Sequence, residues 1–533
     1  MLFDDYLSGL KLPAYWTEVQ LHSHAISRKV AWMDKKRILP ACCVAAFFGL
    51  SLGASPISAR LPAKPVAQPA MEEDRPGISG ADLWTLTETK LFNGQVHRIS
   101  LRMNQAVWDR LQEDEKSQGC RDTGSAKWAH VRDFTFNDIG MKDVAVKILG
   151  ESSRCVPRVP LTLSFGRTEG VYTRQGTENW VEAEYSDPAQ AAIRDRVLHG
   201  LESLNLHRSY NDSSAENDGG KGMLAREFVA TWAAAKTEDT ARTTLRGAPV
   251  YRTAYALVEF QLCAGNADDS CDNRFIRAYL IAEPIDKSFF RMRYDDEKPT
   301  FFSMANGCAL RTDRGIQGFI SPCLQPEYLE GKKVDRENGA LQLKALGHLT
   351  GPGGLRSRIA AAESAPELGK VIDLDAFMNY AAFATTVGYW DSAYGNFNND
   401  ILYFHAQSSK WKIIVGNADN TFGDGNGGRG NPASSYSYAE AAGAPRMLFD
   451  KLFGISVLDA QFRKHLGNYL SRLYAPDGSI KGTITDTRDR YIMKLNDELP
   501  SGERQDTQRA QGMLDYARQR VRVLRNQPRP SEP

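Results

Sequence analysis

The chain is predicted to fold as α+β, and three observations carry that prediction. Apolar alternation of period two dominates from Leu91 to about residue 170. Helical composition and spacing take over after Asp373. Between them stand one helix and a strand pair, an order that no regular βαβ repeat produces.

With 533 residues the chain can bury a large core and divides into two or three lobes or domains. It is 42% hydrophobic and 25% charged, the composition of a globular protein. Lys+Arg number 66 against 65 Asp+Glu, for a net charge of +1, so the overall balance gives no reason to expect nucleic acid or an anionic membrane as partner.

Residues 33–59 have the pattern of a secretory signal: a basic start at Lys35, Lys36 and Arg37, an apolar run from Ile38 to Leu52, and small residues up to Ala59. Cleavage is expected near Ala54 or Ala59; an uncleaved anchor is the alternative, although the run is short against the roughly 20 residues of a membrane span. Residues 1–32 make poor sense ahead of a signal and read as an upstream extension of the true start at Met33. "LPAC", ending at Cys42, precedes the apolar run instead of following it, which argues against a lipoprotein box. Localisation is therefore expected to be exported: periplasm, cell surface or secreted. Six cysteines follow the signal, an even number that favours disulfides; proximity pairs Cys263 with Cys271 and Cys308 with Cys323, leaving Cys120 with Cys155. No Cys/His cluster suggests a structural zinc.

Residues 60–85 are rich in Pro and charge and read as a linker. A β-rich lobe with one helix is expected over 86–300. "LFNGQVHRISLRM" is its first strand, "NQAVWDRLQED" a helix, and "DFTFND", "DVAVKILG" and "PLTLSFG" three more alternations separated by turn residues. "GKGMLAREFVATWAAAK" (220–236) is helical by composition, and "YRTAYALVEFQLCAG" with "RFIRAYLIAEPIDKSFF" forms a strand pair around a Cys-flanked excursion. A mainly helical lobe is expected over 301–525, beginning with "DLDAFMNYAAFATTVGYW" and ending with "QRAQGMLDYARQRVRVLRN", followed by a tail at 526–533.

The stretch that carries chemistry is "GYWDSAYGNFNNDILYFHAQSSKWKIIVGNADNTFG", residues 388–423. "NDILYFH" and "KWKIIVG" are strands joined by "AQSS". If His405 pairs with Lys410, antiparallel geometry sets Asn399 near Gly416 and Asn396 near Asp419. One end of the hairpin then gathers Asn396, Asn399, Asn417 and Asp419, with Asp391 entering from the loop after a helix. Converging carboxylate and carboxamide oxygens suit a hard cation such as Mg²⁺ over a nucleotide, which is the equipment of phosphoryl transfer. The spacing from Asp391 to Asn396 equals the Asp-to-Asn spacing of the protein-kinase catalytic loop, and "DNTFG" stands where a kinase has its Asp-Phe-Gly. The plain alternative is that Asn, Asp and Gly cap hairpin ends through their own turn chemistry.

With these motifs the chain resembles the CotH kinase family, secreted or surface-associated atypical protein kinases. "GNFNNDILY" and "IIVGNADNTFG" correspond to the family's G-N-x-H-N-Y-Y-L-Y and I-P-W-D-x-D-x-T-F-G signatures. "VAVKILGESSR", "PRVPLTLSF", "LNLHRSYNDSSAENDGGKGMLAREFVA", "APVYRTAYALVEF" and "YLIAEPIDKSFF" resemble its earlier segments, so the likeness runs from Leu91 to Arg525. It implies a bilobal, atypical protein-kinase-like fold that binds ATP with Mg²⁺ or Mn²⁺ and transfers phosphate to Ser/Thr of an extracytoplasmic or surface protein. On that resemblance Asp391 is the catalytic Asp, Asn396 or Asn399 the metal-holding Asn, and Asp419 a metal-binding Asp. Glu227 is the helix Glu that pairs with a phosphate-binding cation, either Lys147 or Arg158. Residues around Glu283 are a candidate adenine-side hinge, with a solvated Glu at a buried strand end as the alternative. Asp212 reads as an Asx turn.

The chain departs from the family in placing Asn417 where the first Asp of D-x-D belongs, Asn398–Asn399 where His-Asn belongs, and Arg158 where Lys is common. These departures keep a second function in play: a catalytically degenerate envelope or surface protein that binds or organises. His207 and Arg208 lie in a polar segment with no nucleophile motif, and His207 reads as a satisfied surface histidine. Residues 422–443, rich in Gly and Asn, read as a mobile loop beside the site. Tyr389, Trp390 and Tyr394 are candidates for substrate stacking or for packing.

Overall fold

The computed structural model describes residues 79–116, 127–149, 159–175, 179–208, 224–237, 250–265, 271–303, 361–389, 400–419, 421–423, 454–473, 487–505 and 509–526, with the single positions 358, 392, 452 and 507. The chain divides into two units, Met1–Lys64 and Pro65–Pro533, and every described residue belongs to the second. The signal segment, most of the linker, the tail after Asn526, Cys120, Cys155, Arg158, Asp212, Cys308, Cys323, Asp391, Asn396 and Asn399 lie outside the described residues, as do Trp390, Tyr394 and residues 424–443.

The first half is a closed barrel. Strands β1 (Val96–Asn104), β2 (Trp128–Phe136), β3 (Ile139–Ile148), β4 (Leu161–Ser164), β7 (Ser203–His207), β8 (Thr253–Cys263) and β9 (Asn273–Ala282) run in the order β1-β8-β9-β7-β4-β3-β2, and β2 pairs back onto β1. The hairpin β5 (Val171–Gln175) and β6 (Asn179–Glu182) hangs from β2. Closure leaves the seven strands without a free edge. Alternation explains the interior: Ile99, Leu101, Val131, Phe134, Val144, Val146, Leu161, Leu163, Leu204, Leu206, Val258 and Phe260 fill one core. β8 is buried on both faces and therefore reads as an almost unbroken apolar run.

Its outward residues Tyr255 and Leu257, with Ala278 and Leu280 of β9, belong to a second core. That core is shared with α4 (Arg226–Thr237), α6 (Leu374–Val387) and α7 (Ser456–Leu473), and with α8 (Arg509–Asn526) through Met513, Tyr516 and Ala517. The remaining described helices of eight or more residues are α1 (Gly80–Lys90), α2 (Gln105–Lys116), α3 (Asp187–Arg194) and α5 (Lys287–Tyr294). The architecture is thus mixed α/β with a barrel at its centre. No helix among the described residues is long and apolar enough to cross a membrane.

Three expectations need correction. Residues 80–85 do not belong to a linker: they start α1, whose N-cap Ser79 accepts a hydrogen bond from the Asp82 N–H and whose Leu83 and Thr87 are buried. Gly80 permits that packing, since a Cβ there would stand 2.3 Å from the Arg291 carbonyl oxygen. "DKSFF" does not extend a strand; Asp286 accepts from the Ser288 N–H and caps α5. The β-rich lobe therefore carries several helices instead of one.

The hairpin has the expected register. β11 (Ile401–His405) and β12 (Lys410–Ile414) pair His405 with Lys410 and Ile401 with Ile414, and β10 (Thr300–Ser303) adds a third strand. Beyond β12, Val415 bridges to Val250, which ties the hairpin's exit to the chain entering β8. The Cys263–Cys271 disulfide joins the end of β8 to the start of β9.

Candidate functional site

The site is assembled where the outer face of the barrel, α4 and the segment after β12 meet. In β7, Leu204 and Leu206 point into the barrel core, so strand alternation turns Ser203, Asn205 and His207 outward. α4 lies over that face and carries Glu227 in its first turn, where a carboxylate also favours the helix N-terminus. Glu227 is fully buried. Its Oε1 is paired with His207 Nδ1 at 2.7 Å and accepts the Tyr251 hydroxyl proton at 2.6 Å. One turn on, the Thr231 hydroxyl meets that of Thr253 at 2.6 Å, pinning α4 to β8.

Tyr251 extends this contact to the hairpin exit. Its oxygen accepts the Ala418 N–H at 2.9 Å, so one phenol joins the buried carboxylate to the backbone between Asn417 and Asp419. There Asn417 Oδ1 accepts the Asp419 N–H at 3.1 Å, an Asx turn. Thr421 donates to the Ala418 carbonyl at 3.0 Å, and Arg226 donates to the Gly423 carbonyl at 2.9 Å. Phe422 adopts a left-handed backbone, and its N–H donates to the Val387 carbonyl at the end of α6. Asp419 is 4% exposed and close enough to His207 and Tyr251 to act on both electrostatically.

The charges are mutually adjusted. Burial, the largest single effect on His207, lowers its affinity for a proton. The Glu227 charge and hydrogen bond, with help from Asp419, outweigh it and raise the pKa above 6.5. Burial pushes the Tyr251 hydroxyl well above its ordinary range, and the neighbouring Glu227 adds to this, so Tyr251 stays a neutral donor.

Of the expected site residues, the structure therefore brings Glu227, Asn417 and Asp419 into one region. Asp391, Asn396, Asn399 and Arg158 lie outside the described residues. Lys147 faces the same outer side of the barrel as His207: it is opposite Thr162, which is opposite Asn205, two residues before His207. Its ammonium sits 4.8 Å from the centroid of the Trp128 ring. Glu283 is not solvated but buried. Its oxygens are taken by Arg252 (2.6 and 3.2 Å) and Arg293 (2.6 and 3.0 Å). Burial opposes its ionisation, but the two guanidinium groups overcome this and hold its pKa at about 2.

Three contributors escaped the sequence reading. His207 is not a surface histidine but 16% exposed against Glu227. The alternation of "LNLH" gave its outward direction, while its partner comes from a helix that follows a long intervening segment. Tyr251 stands in the sequence only as the first residue of the strand segment "YRTAYALVEFQLCAG". Asp400, fully buried, accepts hydrogen bonds from Tyr380 of α6 and, at 3.1 Å, from Tyr389. It stands in the Asp/Asn-rich stretch, and the density of that stretch was its only signal. Tyr389 is thereby assigned to packing.

The donors at the hairpin exit are hard oxygens, suited in kind to Mg²⁺. Among the described residues no group of three or more His, Cys, Asp or Glu is arranged to hold a metal ion. The geometry is thus a helix at the outer face of the barrel whose buried Glu227 is tied through Tyr251 to the turn containing Asp419, after a hairpin and before a Phe-Gly pair. Residues 278–524 match the family model described as CotH kinase protein, so this part of the chain is similar to the CotH family. The match runs from within β9 to near the end of α8, so it includes Glu283, the hairpin and Asp419. Lys147, His207, Glu227 and Tyr251 precede it. A search of curated proteins gave no match.

Proposed function

We propose that this is an exported, bilobal, kinase-like protein that transfers the γ-phosphoryl group of ATP to Ser or Thr of an extracytoplasmic or surface protein. The observation that carries this reading is the Glu227–Tyr251–Ala418 chain of hydrogen bonds, which couples a helix carboxylate on the barrel to the turn holding Asp419. Kinases need such a connection because the phosphate-binding and metal-binding halves must act on one nucleotide. In this reading Asp391 accepts or orients the acceptor hydroxyl proton, and Asp419 with Asn396 or Asn399 holds the metal. The cation paired with Glu227 binds phosphate. Bound Mg²⁺ or Mn²⁺ would neutralise the developing phosphate charge. The Cys263–Cys271 disulfide supports export, since such bonds persist in oxidising compartments.

A second reading has a specific observation in its favour. The Asn417 amide oxygen is engaged by the Asp419 N–H, which makes Asn417 a turn-former at a position where the family signature has an acidic residue. A catalytically degenerate relative that binds a ligand on the same scaffold would have that feature. Purified residues 60–533 incubated with ATP, Mg²⁺ or Mn²⁺ and a Ser-rich acceptor separate the two readings, with phosphopeptides read by mass spectrometry. The kinase reading expects transfer that is lost in Asp391→Asn and Asp419→Ala. Transfer that survives both substitutions overturns the site assignment, and ATP binding without transfer supports the degenerate reading.

A further inference from the structure

We infer that His207 is the phosphate-binding cation of this site, holding a nucleotide phosphate through Nε2 while Nδ1 is anchored on Glu227. The inference rests on the nucleotide reading above and adds to it the identity of the contacting group.

In a phosphate site built on a buried carboxylate, the cation must do two things. It must compensate that carboxylate, which costs several kcal/mol to bury unpaired. It must also present a second donor toward the ligand. An imidazolium does both, because its two N–H groups lie on opposite sides of the ring. His207 Nδ1 meets Glu227 Oε1 at 2.7 Å. The other nitrogen makes no hydrogen bond to any described residue, although the ring is only 16% exposed. The ring is stacked edge-on to Tyr251, at 6.3 Å between centroids, and Tyr251 is itself hydrogen bonded to Glu227 and to the Ala418 N–H. The imidazole is therefore held from two sides.

Position favours the same conclusion. His207 stands at the end of β7 on the outer face of the barrel, beneath α4 and near Asp419. A triphosphate whose metal is held by Asp419 would lie within reach of a cation there. The charged and titratable groups around the ring are Glu227 on α4, Tyr251 before β8 and Asp419 after β12, and the two carboxylates favour its protonated form. Lys147 occupies the same face two strands away, with its ammonium over Trp128.

The test is calorimetric titration of the full chain with Mg·ATP across pH 6 to 8.5, for the unaltered protein, His207→Gln and Lys147→Met. The glutamine amide can still donate to Glu227, so His207→Gln removes the charge while keeping the carboxylate hydrogen bonded. Its thermal unfolding midpoint reports whether the fold is retained. His207→Gln is expected to weaken Mg·ATP binding about tenfold or more at pH 6, the effect of losing a charge-assisted hydrogen bond. The unaltered protein is expected to lose affinity as pH rises above the histidine's raised pKa. The ligand's terminal phosphate gains negative charge on the same rise and would by itself bind more tightly, so a fall in affinity belongs to the protein. Equal affinity of His207→Gln and the unaltered protein overturns the inference. So does affinity that does not fall with pH, a readout that holds even if the variant fails to fold. Loss of binding in Lys147→Met alone would give the role to Lys147 and overturn it too. Absence of Mg·ATP binding by the unaltered protein at every pH overturns the nucleotide reading itself, and only that arm shows it.

Discussion

Tyr251 is the residue on which the site depends most directly. Its hydroxyl is both donor to Glu227 and acceptor from Ala418, and each partner is buried. Tyr251→Phe keeps the ring's packing while leaving the Ala418 N–H without that acceptor and Glu227 without one donor. A cost of about 1–3 kcal/mol in stability is expected from the unsatisfied groups, measured by chemical denaturation. A larger proportional loss of Mg·ATP affinity is expected than that stability change alone would give, because the turn holding Asp419 loses its tie to α4. Stability unchanged within a few tenths of a kcal/mol would show the two hydrogen bonds to be dispensable.

Among the elements, α6 is fixed at both of its ends. Asp373 caps its start by accepting the Ala376 N–H, and Gly388 ends it in the left-handed conformation at φ 63°. Gly388 has a second reason to be glycine: a Cβ there would stand 1.9 Å from the Tyr516 hydroxyl of α8. Both the strain and the overlap are absent for glycine alone. Gly388→Ala is expected to destabilise by about 2 kcal/mol or more, seen as a lowered denaturant midpoint. The hairpin β11–β12 behaves differently, because the short polar connection between its strands sets the pairing of His405 with Lys410, and both faces are then buried through Ile401, Leu402, Tyr403, Ile413 and Ile414.

For the whole molecule, Glu283 ties the parts together. Its carboxylate joins Arg252, at the entry to β8, to Arg293 of α5; Arg252 reaches on to Thr87 and Glu88 of α1 and stacks on Trp84. Its folded pKa of about 2 lies below the ordinary 4.5. The sign follows: the pair contributes stability above the unfolded value, and that contribution disappears as pH falls from about 4.5 toward 2. The shift corresponds to about 3 kcal/mol. Glu283→Gln is expected to flatten the acid limb of the stability profile and to cost about 3–5 kcal/mol at neutral pH by leaving two buried guanidinium groups under-compensated. An unchanged acid limb in that variant would remove Glu283 from this role.

How much of this could be read in advance depended on sequence distance. Alternation at "DVAVKILG" and "PLTLSFG" gave the strands and their inward faces, and "AQSS" gave the hairpin. Asn417 and Asp419 were singled out by local hairpin spacing and Glu227 by the family resemblance; the structure brings the three into one region, and their roles belong to the proposed function. Closure of the barrel was not readable in advance, since β1 pairs with β8 across 159 residues (Val96 with Tyr255) and no periodicity encodes that partner. The burial of His207 and of Glu283 was missed for the same reason, as charge pairing depends on which elements pack together. Helix α1 was hidden by the Pro-rich, charged composition that precedes it. The sequence by itself determined the succession of strands and helices, the hairpin register and the acidic and carboxamide residues beside it, because backbone period and turn chemistry act over a few residues. Only the tertiary structure decided that a barrel closes, that Glu227 is hydrogen bonded to His207 and that Tyr251 ties Glu227 to the turn holding Asp419, because burial and side-chain pairing are properties of surfaces that come together after the chain has folded.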